Sequence, residues 1–181
     1  MEPVASIDYE PSAPAPGRLA LVQRFANTID EEHGREALHS PEQLRLLLAE
    51  LGLLDAGVRV GRRDLARAHD LRDAIRALAL ANNGVPTDAS VEAQLVARID
   101  DAHAVLVSPQ HDVDGALAEL VGIVYTAMAD GSWSRLKACR SHLCKWLFYD
   151  RSRNRSAVWC SMAVCGNRMK ARRHYERARK N

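Results

Sequence analysis

No apolar run in the 181 residues approaches the roughly 18 that a membrane-crossing helix needs, so such a helix is excluded. Residues 1–17 carry acidic side chains and four prolines but no apolar stretch of the secretory kind. A disordered tail and a cytoplasmic protein are expected. Phosphate-binding loop, dinucleotide and G-x-S-x-G nucleophile signatures are all missing. The histidines at 33, 39, 69, 103, 111 and 174 form no metal or catalytic pattern, and the helical part offers no grouping of acid, base and nucleophile. The sequence therefore does not read as an enzyme.

Acidic residues are scarce in one region only. Residues 133–181 hold 14 lysines and arginines against Asp150 and Glu176, a net of +12, whereas residues 1–132 hold 11 against 21, a net of −10. An acidic body is thus joined to a basic module. Such a division calls for an acidic partner, with nucleic acid first and the chain's own acidic body second.

Cysteine is equally scarce, and all of it lies in the basic part as Cys139-x4-Cys144-x15-Cys160-x4-Cys165. Two close pairs with a short insert suit a tetrahedral zinc ion, each pair forming one knuckle. Two disulfides or an iron–sulfur cluster are the alternatives; a reducing compartment disfavours the first. One structural zinc on Cys139, Cys144, Cys160 and Cys165 is the favoured reading. Four protein ligands close the site and leave no place for a reacting water. A segment of 49 residues with few large aliphatic side chains needs such a staple, which contributes on the order of 10–16 kcal/mol.

Helical periodicity dominates what precedes. Leu21, Val22, Phe25 and Ile29 predict a helix ended by Gly34. Ser40-Pro41 followed by Gln43 starts a second, with Leu44, Leu47, Leu48 and Leu51 as its buried stripe and Gly52 just past its end. A third runs from about Arg63 to Leu80 and is closed by Asn82-Asn83-Gly84. Val91, Leu95 and Ile99 suggest a short fourth, Ala104 to Val107 a strand or small hairpin, and Leu117 to Met128 a strong helix stopping at Gly131. In the basic part, Trp146 to Tyr149 and Ala157 to Trp159 read as the strands of a hairpin around the turn Asp150 to Ser156. A basic helix follows from Met169 to Lys180. The fold class is mainly α: a multihelical domain, then a small zinc-bound β-hairpin and a C-terminal helix.

The run Cys-Lys-Trp-Leu-Phe-Tyr-Asp-Arg-Ser-Arg-Asn-Arg-Ser at 144–156, with Trp-Cys-Ser-Met-Ala-Val-Cys-Gly-Asn-Arg at 159–168, resembles the CGNR zinc-finger family of bacterial proteins. In that family the four cysteines are taken as zinc ligands. Phe25-Ala26-Asn27-Thr28 and the Leu65-to-Leu80 helix look like the ABATE domain that commonly precedes such fingers. The resemblance implies a stress-induced transcription regulator that binds DNA. It divides the chain into a tail (1–17), an ABATE-like domain (18–131) and a finger with its basic helix (132–181).

Candidate nucleic-acid contacts are Arg151, Arg153, Asn154 and Arg155 on the turn, and Lys170, Arg172, Arg173 and Arg177 on the helix. Arginine pairs bidentately with phosphate or guanine, and asparagine with adenine. Asn167 and Arg168 are expected to brace the knuckle. For a small-molecule effector the candidates are Asn27 and Thr28, polar within an apolar helical run, and Arg72. An adaptor for a protein partner, with the zinc only shaping a docking surface, is the alternative function. Oligomeric state is not written in the sequence.

Overall fold

The computed structural model describes residues 14–99 and 104–179, with the side chains of Arg173 and His174 left aside. Most of the expected tail, residues 1–13, lies outside the described residues, as do His103 and Lys180. Ala15 departs from the expectation for its end: it is buried in the core, and its N–H donates to Gln23 Oε1 at 2.6 Å.

Among the described residues five α-helices carry the fold: α1 (Leu19–Ala26), α2 (Pro41–Glu50), α3 (Arg62–Ala81), α4 (Val113–Ala129) and α5 (Asn167–Ala178). Three two-stranded antiparallel pairs interrupt them: β1 (Ile29–Asp30) with β2 (Arg35–Glu36), β3 (Val96–Ile99) with β4 (Ala104–Val107), and β5 (Leu136–Ala138) with β6 (Leu147–Tyr149). The chain is mainly α, as its periodicity predicts. No helix among the described residues is long and apolar enough to cross a membrane.

Start and stop signals act as their chemistry dictates. Ser40 Oγ accepts the Gln43 N–H at 3.3 Å, and Pro41 occupies the first helical position of α2. At the far end Gly52 sits at φ +69°, with Leu53 N–H on Leu48 O (2.9 Å) and Gly52 N–H on Ala49 O (3.0 Å). This paired closure satisfies two orphan carbonyls and needs a left-handed residue. Asp112 caps α4 by accepting the Gly115 N–H at 3.0 Å.

Three expectations are corrected. The first helix ends at Ala26 instead of running to Gly34, because Thr28 Oγ1 turns back onto Phe25 O (2.9 Å) and Ala37 N–H bonds Thr28 O (2.8 Å), starting a hairpin. Gly34, at φ +63°, serves that hairpin's turn. The short fourth helix through Val91, Leu95 and Ile99 is not formed. Residues 96–99 are β3, paired Val96 to Val107 and Ile99 to Ala104, so the Ala104–Val107 run is one strand of a hairpin lying on α4. In the basic part, Ala157 to Trp159 is not the partner of β6. Leu147 pairs instead with Ala138 and Tyr149 with Leu136, which makes the first cysteine pair the loop of the hairpin.

That hairpin ties the two parts together by alternation. Leu136, Ala138 and Leu147 are fully buried in the core built by Val22, Phe25, Leu48, Ile75 and Leu120. Phe148, on the opposite face of β6, and Trp146, just before that strand, pack with the four cysteines in a second cluster. A period of two places one strand between two cores.

Candidate metal centre

The first knuckle is the β5–β6 loop. Cys139 N–H donates to Trp146 O at 2.9 Å, and Ser141 O receives both Cys144 N–H (3.0 Å) and Lys145 N–H (3.2 Å), with Lys145 at φ +50°. The second is a wide π-type turn, Met162–Gly166, in which Ser161 O takes the Gly166 N–H (3.0 Å) and Ser161 Oγ the Val164 N–H (3.3 Å). It delivers Cys165 two residues before α5 begins.

The four Sγ atoms, all buried, lie within 4.8 Å of one another. Cys144 to Cys160 is 3.6 Å and Cys160 to Cys165 is 3.7 Å. The edge of a tetrahedron with zinc–sulfur bonds of about 2.3 Å is about 3.8 Å, so the donor set fits zinc. The same distances are far too long for disulfides, and all four thiols are free. Electrostatics agree. Hydrogen bonds from Cys144 and Cys160 lower the Cys139 thiol, while the bonds to Cys139 push Cys144 and Cys160 up. Burial and then the Cys139 charge raise Cys165. Four thiolates at these separations require a divalent cation among them.

Around the turn from Asp150 to Ala157, a buried ion pair replaces the expected strand pairing. Lys137 Nζ donates to Asp150 Oδ2 (2.8 Å), Arg155 O (2.6 Å) and Ala157 O (3.1 Å), using all three of its hydrogens. Asp150 also accepts the N–H groups of Ser152 (2.9 Å) and Ala157 (3.0 Å). Burial alone would raise the Asp150 carboxyl, but the bonds from Lys137 and Ser152 outweigh it and bring it to about 2.

Asparagines hold this module on the helical body, a role the sequence did not disclose. Asn27 brackets Leu147 like a neighbouring strand, its Oδ1 accepting the N–H at 2.8 Å and its Nδ2 donating to the carbonyl at 2.9 Å. Asn82 Nδ2 donates to Trp133 O (2.8 Å) and Leu136 O (2.9 Å). Asn83 Nδ2 donates to Ala138 O (2.8 Å) and Val158 O (2.9 Å), while its own carbonyl accepts Arg140 Nε at 3.0 Å. The polar Asn82-Asn83 pair at the end of α3 was the available signal. Asn83→Ala leaves two carbonyls without this donor, and an expected loss of about 1–3 kcal/mol would be read from the urea midpoint. Asn83→Asp should fare no better, since a carboxylate cannot donate.

The structure gives the three effector candidates partners inside the protein. Asn27 holds Leu147, Thr28 is buried against Phe25 O, and Arg72 is buried with Nη1 on Glu36 at 2.7 Å. None of them lines the cleft of about 540 Å³ between α3 and α4, whose walls include Arg67, Asp70, Glu92, Leu117 and Val121. Arg153 and Asn154 are exposed on the turn. Arg151 lies over the Tyr149 ring at 5.7 Å and donates to Pro14 O, and Arg155 donates to Ser134 Oγ. On α5, Lys170, Arg172 and Arg177 are exposed, with Arg172 paired to Glu176 at 2.8 Å and 3.3 Å from His142 Nε2. Asn167 Nδ2 donates to Ala163 O at 3.2 Å, bracing the second knuckle, whereas Arg168 reaches the body, pairing with Glu32 at 2.6 Å.

A helical body joined to a closed four-thiol centre defines a protein with a structural zinc finger. Residues 19–130 match the ABATE family, described as "putative stress-induced transcription regulator", and residues 135–178 match the CGNR zinc finger. The chain belongs to the ABATE family and carries a CGNR zinc finger with its zinc. Neither family is one of enzymes. No curated protein matches the chain.

Proposed function

We propose that this protein is a cytoplasmic, non-enzymatic transcription regulator that binds DNA through the finger, with one structural zinc held by Cys139, Cys144, Cys160 and Cys165. The observation that carries the reading is where the positive charge goes. The acidic body engages the module's cations at its base, through Lys145 to Glu31 (2.8 Å) and Arg168 to Glu32 (2.6 Å). Beyond Arg168, the described cations of α5 at 170, 172 and 177, and Arg179 just past its end, are exposed. A basic helix meant to dock on its own acidic body would be buried along its length; this one is free to meet phosphate. Arg153, Asn154 and the neighbouring arginines of the turn form a second cationic surface fixed to the same zinc. The body is the sensing or interaction domain, and the α3–α4 cleft is the place for an effector.

Electrophoretic shifts with random duplexes test this. Binding by the zinc-loaded protein should weaken steeply with salt, each neutralised phosphate adding about −0.9 to the log–log slope. A Lys170/Arg172/Arg177 triple alanine variant should lower that slope by roughly 2–3. An Arg151/Arg153/Arg155 variant measures the turn's share. Binding unchanged in both variants, or absent at low salt, would sink the proposal. In the second case the adaptor reading takes over. It is favoured by the exposure of Leu143, Met162, Val164 and Tyr175 on the finger, and it requires a protein partner that survives nuclease treatment.

A further inference from the structure

Two buried side-chain polar atoms among the described residues have no hydrogen-bond partner, and both belong to the metal centre's surroundings: Ser141 Oγ, inside the first knuckle, and Arg168 Nη1, three residues beyond Cys165. Arg168 is the more informative. Its Nη2 is spent on Glu32 Oε1 at 2.6 Å. Its pKa is raised, chiefly by that bond, and it stands at the start of α5, three residues beyond the buried Cys165. A buried N–H without an acceptor is destabilising, and a Zn(Cys)4 centre carries a net charge of −2 that needs donors. One unmet need answers the other.

Glu32 lies in the β1–β2 turn of the helical body, beside Glu31. Glu31 bonds Lys145 of the first knuckle (2.8 Å) and the buried Arg76 of α3 (3.0 Å), and Arg76 Nη1 reaches Ala26 O at 2.9 Å. The turn is therefore anchored on one side to α1 and α3 and on the other to Lys145, next to Cys144, and Arg168, three residues beyond Cys165. We propose that Arg168 is shared between the zinc thiolates and Glu32, stabilising the metal centre through one nitrogen and coupling zinc occupancy to the β1–β2 turn through the other. The planar fork of arginine can serve two acceptors in fixed directions; a lysine at this position supplies charge to one. Arg168 is a positioning residue in this scheme, not a ligand. The proposal rests on the four-cysteine zinc assignment made above.

The test uses the full chain, with zinc affinity measured against a chromophoric chelator and amide hydrogen exchange followed over residues 29–36 with and without zinc. Arg168→Met should weaken zinc 10–100-fold, the usual cost of losing a partner of a metal ligand, and Arg168→Lys should weaken it less. Glu32→Gln should still bind zinc, and the response of its exchange at 29–36 to zinc should be clearly smaller than in the unsubstituted protein, the Lys145–Glu31 pair carrying what remains. Zinc affinity unchanged in Arg168→Met overturns the stabilising role. Exchange at 29–36 in the unsubstituted protein that ignores zinc overturns the coupling. Failure of the unsubstituted protein to bind zinc would be a failure of the ligand assignment instead, so the two are separable.

Discussion

Stripping zinc with excess chelator is expected to unfold the finger while leaving most of the helical body in place. The second hydrophobic cluster consists of Trp146, Phe148 and the four cysteines, with Ala157 and Trp159 packed against it. Two thirds of its buried members are thus the cysteines themselves. Such a cluster has too little apolar area to offset the chain entropy of its loops. Zinc binding supplies about 10–16 kcal/mol, comparable with the whole stability of a typical domain. The body keeps its own core around Phe25, Leu48, Ile75 and Leu120. The near-ultraviolet circular dichroism of Trp146 and Trp159 should therefore vanish, while the far-ultraviolet signal falls by little more than the 12 residues of α5. Trypsin should then cut within 135–178 before it cuts α3. Cys165→Ser should behave in the same way without chelator. Tryptophan signals that survive removal of stoichiometric metal would overturn the assignment.

How much of this was legible beforehand depends on the kind of information each feature needs. The metal centre is written in residue identity, because only deprotonated thiols at short spacing make such a donor set, and the four cysteines do meet. Helices α2, α3 and α4 are written in local period and capping, and their ends fall where Ser40, Gly52 and Gly131 put them. Pairing is another matter. Val91, Leu95 and Ile99 satisfy a helical spacing as well as any short apolar set does, and what makes 96–99 a strand is the partner at 104–107 resting on α4. Sequence pattern alone pairs the finger hairpin with the wrong segment, because Leu136–Ala138 is only three residues long and precedes the first cysteine. The Val158 carbonyl, free of β6, goes to Arg140 N–H at 3.1 Å and to Asn83. Asn27, Asn82 and Asn83 looked like a polar break in a helix and a helix stop. Their work at the interface depends on which carbonyls arrive from more than 50 residues away, and no local pattern encodes that.

Lys137→Met should be the most damaging substitution outside the cysteines, at about 3–5 kcal/mol. Lys137 and Asp150 are both almost fully buried, and removing one member leaves the other charge in a low-dielectric site without its counter-ion. The lysine also holds the carbonyls of Arg155 and Ala157, so the turn that carries Arg151, Arg153 and Asn154 would lose its fixed shape along with the stability. Asp150→Asn keeps the shape of the carboxylate but places an amide where Lys137 Nζ and the Ala157 N–H both need an acceptor, and a loss of similar order is expected. The pair should not respond to pH in the neutral range. Asp150 is depressed to about 2 from the ordinary 3.8, so its contribution is complete above the unfolded value and is lost only as pH falls through the folded one. Urea midpoints of the zinc-loaded proteins at pH 6 and pH 8 should therefore show the same deficit for each single variant. In a double-mutant cycle the Lys137→Met and Asp150→Asn losses should be strongly non-additive, the double variant costing little more than either alone, because each single change already removes the ion pair. Additive losses would mean that the two side chains act separately, and that the turn is held by its backbone bonds alone.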